Sequence, residues 1–218
     1  MRAPRPFDLV IFDLDDTLID LERGRRLDVL SALTGHSASH IHATIWDSDF
    51  ECAAERGAYS SGEAYLRAFN ARLGTELSRA QWIAARAAAM HPRPGMIELL
   101  REVGRRTNVA LLTNNGALLR EALPELAPVV CALIPRLHAS CEFQARKPEP
   151  EVFTRLIGRY GITPPRALFI DDSAEYVAGA QSAGLAAVRF SDERQVRAAL
   201  IAHGILEGAE PRDAPAAD

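Results

Sequence analysis

Five short apolar runs alternate with helical stretches along this chain, and that rhythm limits the fold more than any other feature. The runs are FDLVIF (7–12), NVALLT (108–113), RLHAS (136–140), ALFID (167–171) and LAAVRF (185–190). Each is bounded by polar or turn residues, the pattern of a buried strand. PGMIELLREVG (94–104), PEPEVFTRLIGRYG (148–161) and AEYVAGAQSAG (174–184) lie between them, with proline at the start or glycine at the end. That is the punctuation of helices. Strand alternating with helix predicts right-handed βαβ units and an α/β fold with a Rossmann-like, doubly wound parallel sheet.

The interval 19–90 breaks the rhythm. It shows no convincing strand, only helical spacing at Leu27, Leu30 and Leu33 and again at Tyr65, Leu66, Phe69 and Leu73, stripes that read as core. The expected organisation is therefore a sheet core from 1–18 and 91–207, with an all-helical subdomain, 19–90, inserted after the first strand. A chain of 218 residues that is 48% hydrophobic is long enough for both. Connections near Leu18–Leu21 and His91–Pro94 would be hinges between the two. The tail 208–218, rich in proline and alanine, is expected to be disordered.

Composition excludes several partners. A net charge of -4 gives no reason to expect nucleic acid or an anionic membrane surface, and no run approaches the length of a spanning helix. The N-terminal apolar run is broken by Asp8 and ends in carboxylates, unlike a signal peptide. Cys52, Cys131 and Cys141 form no CxxC pair and read as small buried or half-buried thiols, which suits a reducing, cytoplasmic setting. Oligomeric state is left open between monomer and homodimer.

In a parallel sheet the ligand lies beyond the carboxyl ends of the strands. Asp13, Asp15 and Asp16 follow the first run, Thr113, Asn114 and Asn115 the second, and Asp171, Asp172 and Ser173 the fourth. Lys147 follows the third after a short loop. Of the 25 lysine and arginine residues it is the only lysine, so it marks a place where a compact ammonium is needed and a broad guanidinium fork does not fit. Clustered carboxylates repel by roughly 4 kcal/mol per pair at 4 Å and an effective dielectric near 20, so a cation is required. Oxygen donors without His or Cys suit Mg²⁺ rather than zinc. Taken singly, Asp16 and Ser173 read as turn or cap residues.

The segments FDLDDTL (12–18), LLTNN (111–115), ARKPEPEVF (145–153) and FIDDS (169–173) together resemble the four motifs of the haloacid-dehalogenase superfamily, in its subclass with a helical cap. A looser similarity is to the branch that includes bacterial α-D-glucose-1-phosphate phosphatase. The resemblance implies a Mg²⁺-dependent phosphomonoesterase acting on small phosphorylated metabolites, sugar phosphates preferred. It implies Asp13 as nucleophile, forming an aspartyl-phosphate, and Asp15 as general acid and base. Asp13, Asp172 and the Asp15 carbonyl would hold the metal, with Asp171 assisting through water. Thr113, the Asn114 N–H and Lys147 would receive the phosphoryl oxygens. By analogy the turn at Glu55, Arg56 and Gly57 faces the site, so Arg56 is either a donor to sugar hydroxyls or a surface arginine.

Departures from relatives narrow the activity. Dehalogenases lack the second aspartate, whereas Asp15 is present. Phosphonoacetaldehyde hydrolases and β-phosphoglucomutases place a lysine in the cap, and 19–90 contains none. A mutase of the same superfamily and a non-catalytic protein that senses a phosphorylated ligand remain as alternatives. His36 and His40 stand four residues apart, but without a third ligand they read as a solvated face.

Overall fold

The computed structural model describes residues 6–207; the tail expected to be disordered lies outside them. In chain order the elements are β1 (Leu9–Phe12), β2 (Ile19–Leu21), α1 (Arg23–Thr34), α2 (Ala38–Ile45), α3 (Asp49–Glu55), α4 (Gly62–Leu73), α5 (Arg79–Ala87) and β3 (Met90–Pro92). There follow α6 (Pro94–Gly104), β4 (Asn108–Thr113), α7 (Ala117–Leu126), α8 (Pro128–Leu133), β5 (Arg136–Ala139), α9 (Pro150–Gly158), β6 (Ala167–Asp171), α10 (Ala174–Ser182), β7 (Ala186–Arg189) and α11 (Glu193–Ala202).

The main sheet has the order β5-β4-β1-β6-β7 with every pairing parallel. Strand β1 is central, its four residues all buried. Because side chains alternate across a strand, Val10 and Phe12 enter one apolar cluster with α6, α7 and α11. Leu9 and Ile11 enter the other, with Val152, Phe153, Leu156 and Ile157 of α9. Both faces are covered, as a doubly wound sheet requires. The short apolar runs thus occupy the places that their sequence predicts.

Two expectations are corrected. The stretch after the first motif is not free of strand: β2 pairs antiparallel with β3, Ile19 opposite Pro92 and Leu21 opposite Met90. The two connections to the helical insertion therefore run as one hydrogen-bonded ribbon, a pairing invisible to local patterning because its partners are far apart in sequence. Leu33 is not core; it is 39% exposed, while α1 turns Arg26 and Leu30 inward.

The insertion packs around Phe50, Tyr65, Phe69 and Trp82, whose rings meet at 5.4–6.1 Å. Serines cap α2, α3, α4 and α5 by accepting a backbone N–H. The turn at Gly57 (φ 82°) lies so close to the Cys141 carbonyl that a Cβ there would sit 2.6 Å from its oxygen. Glycine is needed at that point both for its conformation and for its size. Among the described residues no helix is long and apolar enough to cross a membrane.

Candidate active site

The carboxyl ends of β1, β4 and β6 and the loop after β5 meet at the mouth of one cavity of about 390 Å³. Lys147 is 1% exposed and sits in a loop; α9 begins three residues later, at Pro150. Its loop is held in two ways. The Asn114 amide donates to the Lys147 carbonyl and accepts from the Lys147 N–H, both at 2.9 Å. Gly179 of α10 lets the helix approach Pro148, where a Cβ would lie 2.2 Å from the Pro148 oxygen. The Asn114 side chain thus ties two strand ends together, a task distinct from the phosphate contact expected of its backbone.

The Lys147 ammonium donates to Asp13 Oδ1 at 2.5 Å and to Asp171 Oδ2 at 2.6 Å. It also lies 4.9 Å from the centroid of the Tyr176 ring and 5.3 Å from that of Phe169. Burial works against its charge, but Asp13 and Asp171 outweigh that and raise its pKa above the ordinary value. Burial pushes the Asp13 carboxyl well above the usual carboxylate range; Lys147 opposes the rise, and Asp171 and Asp15 add to it. One ammonium is therefore too little positive charge for this pair of carboxylates and their neighbours.

Asp13, Asp171 and the half-buried Asp172 each offer an oxygen within 4.8 Å of the others, the one such cluster found among the described residues. Asp171 is fully buried and accepts the Ser173 N–H at 2.8 Å as well as the lysine. Burial raises Asp172, and Asp171 and Asp16 raise it further. Three hard, mutually repelling oxygen donors beside a cavity are the chemistry that a small divalent cation satisfies.

Asp15 is held by a residue that the sequence reading missed. Arg86, 2% exposed at the end of α5, reaches both Asp15 oxygens at 2.5 and 2.6 Å. Burial alone would raise Asp15, but the Arg86 charge and hydrogen bonds reverse the sign and lower it, helped by Asn115. Asn115 also donates to Thr113 Oγ1 at 2.8 Å. Asp16 (φ 62°) and Ser173 behave as local structure: Asp16 accepts from Leu21 N and pairs with Arg23, and Ser173 caps α10.

Arg56 does not line the cavity; it caps α3 and pairs with Glu149, half-exposed. The insertion contributes other residues instead, among them Arg26, Trp46, Glu51 and Glu55. Glu51 accepts from the Tyr65 hydroxyl at 2.5 Å, and Arg146 donates to Glu55 at 2.5 Å. Burial pushes Glu55 up to about 7, with Arg146 opposing. The helical periodicity that marks this segment as core gives no sign that its inward face carries charge. His36 lies ahead of α2, bonded to the Leu73 carbonyl at 2.7 Å, with its ring 4.8 Å from that of His40. The three cysteines are half-buried and unpaired.

This site belongs to a known class. The sequence profile of the haloacid dehalogenase-like hydrolases matches residues 7–184, and the chain belongs to that family. Phosphatase MT3486 of Mycobacterium tuberculosis is 28% identical over 220 residues, covering 93% of this chain and 98% of that protein. A HAD family enzyme of Bacteroides thetaiotaomicron, crystallised with magnesium and inorganic phosphate, is similar in structure, with a TM-score of 0.72, 22% identity and coverage of 85% of this chain and 94% of that one. A predicted HAD-like family hydrolase from Porphyromonas gingivalis has a TM-score of 0.75 at 21% identity, covering 93% of this chain and all of its own.

Proposed function

We propose that this hydrolase is a Mg²⁺-dependent phosphomonoesterase that acts on small phosphorylated metabolites, sugar phosphates among them, through an aspartyl-phosphate on Asp13. The observation that carries the reading is the pairing of Asp13 with the buried ammonium of Lys147 at 2.5 Å, at the edge of a three-carboxylate cluster and with Asp15 lining the same cavity. The MT3486 phosphatase and the magnesium and phosphate bound by the Bacteroides enzyme support it.

Asp13, Asp172 and the Asp15 carbonyl would hold the metal, with Asp171 assisting through water; bound there, it would supply the positive charge that favours the ionised Asp13 and an approaching phosphoryl group. An Asp13 oxygen attacks phosphorus as the bond between phosphorus and the ester oxygen breaks, and Asp15 gives the departing alkoxide oxygen a proton. Asp15 then takes a proton from water, which attacks the aspartyl-phosphate, frees inorganic phosphate and restores Asp13. Arg86 suits the second half of this cycle, because it keeps Asp15 ionised and aimed; a phosphoryl dianion beside Asp15 raises it again for the first half. Lys147, Thr113 and the Asn114 N–H stabilise the charge on the phosphoryl group.

Hydrolysis of p-nitrophenyl phosphate tests the proposal: release of p-nitrophenol with Mg²⁺ and its loss in EDTA are expected. Bound inorganic phosphate without turnover would leave a sensing protein, and phosphoryl migration within a sugar without phosphate release would leave a mutase.

A further inference from the structure

Phosphoryl transfer gives no task to Arg26, which lines the same cavity from α1. Its side chain is buried, the residue being 8% exposed, and its guanidinium carbon lies 4.9 Å from the ring centroids of both Trp46 and Trp82. Among the described residues no hydrogen bond or ion pair reaches that side chain, and its Nε is buried without a partner. The other arginines of the cavity are committed: Arg86 to Asp15 and Arg23 to Asp16. A guanidinium is taken out of water at a cost that an anionic partner normally offsets. The two indole faces attract its charge, but they offer no acceptor to the N–H groups in its plane.

The neighbouring charges do not fill that role. Glu51 and Asp15 stabilise the Arg26 charge from a distance, yet Glu51 accepts from Tyr65 and Asp15 from Arg86, which itself repels Arg26. Burial, with Arg86 next, pushes Arg26 down to about 10, so it stays charged at neutral pH.

We propose that Arg26 is the subsite for a second anionic group on the substrate, a carboxylate of the leaving alcohol, so that phosphorylated hydroxy acids and sugar acids are preferred over neutral sugar phosphates. The assignment rests on the phosphomonoesterase reading of the site. A guanidinium presents parallel N–H donors that match a carboxylate, and both indoles lie 4.9 Å from its carbon. A carboxylate fits better than a second phosphate because Glu51 stands nearby and would repel a dianion more strongly. Asp13 and Arg26 line one cavity, so a single small ligand can meet both.

Matched pairs that differ in the carboxylate test this on the full chain with Mg²⁺: 3-phosphoglycerate against glycerol 3-phosphate, and 6-phosphogluconate against glucose 6-phosphate. The acid member is expected to win in kcat/KM by about ten-fold or more, mainly through KM, since a site built to bond a polar group discriminates against its absence. Arg26→Met and Arg26→Gln should each remove the preference, and Arg26→Lys should keep part of it. No preference in the wild type, or one that survives in both neutral variants, would overturn the assignment. A preference for fructose 1,6-bisphosphate over 6-phosphogluconate would overturn the choice of carboxylate. If none of these esters or p-nitrophenyl phosphate is turned over, the phosphomonoesterase reading falls by itself. Calorimetric binding of the matched pairs to the wild type and Arg26→Met then decides the role of Arg26.

Discussion

Lys147→Met removes one charge from the centre of the site while keeping an unbranched side chain of similar length. Contacts of 2.5 and 2.6 Å to Asp13 and Asp171 correspond to roughly 6 kcal/mol each at an effective dielectric of about 20. Most of that offsets the desolvation of three buried charges, so the expected net loss is that of a broken buried pair, about 3–5 kcal/mol. Urea denaturation in EDTA at about pH 7.5 measures it. The pH dependence adds a second check. The folded Lys147 pKa lies above the ordinary 10.5, so its stabilisation is complete below that value and does not change between pH 5 and 8. The variant leaves Asp13 and Asp171 without their cation, and Asp13 is already raised well above 3.8. Without the lysine Asp13 rises further, so the variant gains more than wild type as pH falls and a proton replaces the missing ammonium. The gap between wild type and variant should narrow toward pH 5. A loss under about 1 kcal/mol at pH 7.5, or a gap that does not change with pH, would refute the reasoning.

Lys147→Arg keeps the charge but puts a wider head between Tyr176 and Phe169; overpacking should cost about 1–3 kcal/mol, read as a lower Tm, and most of the turnover of p-nitrophenyl phosphate. Asp13→Asn should abolish phosphate release with an unchanged circular dichroism spectrum, since an amide can hold the lysine contact but cannot attack phosphorus. Arg86→Gln frees Asp15, whose folded pKa is depressed. The stability supplied by that depression is present above the unfolded value near pH 3.9 and lost as pH falls through the folded one, so the variant should be about 2–4 kcal/mol weaker at pH 7 and close to wild type in strong acid. Its acidic limb in a kcat profile should move to higher pH.

The parts of the site that were legible before the structure are those where local pattern and chemistry coincide. Thr113 and Asp171 end, and Asp13 directly follows, strands that announce themselves as apolar runs, and a parallel sheet brings such ends to one edge. Lys147 stood out as the single lysine, and a buried ammonium between two carboxylates is a physical reason for it. The cap was legible only as helices. Arg26 and Arg86 occupy positions that, in a helical wheel, are indistinguishable from a solvated face among many arginines. Arg56, the residue drawn from that segment by analogy, faces Glu149 instead.

The division has a simple cause. Periodicity and residue type reflect the immediate environment of each backbone segment, so the sequence by itself determined the alternating core, the helical insertion and the acidic strand ends. Which charges meet across long stretches of chain depends on how finished elements pack: Arg86 reaches Asp15 over 71 positions and β2 finds β3. Only the tertiary structure decided that one buried guanidinium would be paired and another left facing the cavity, because ion pairing between elements depends on a few ångströms of placement that no local pattern encodes.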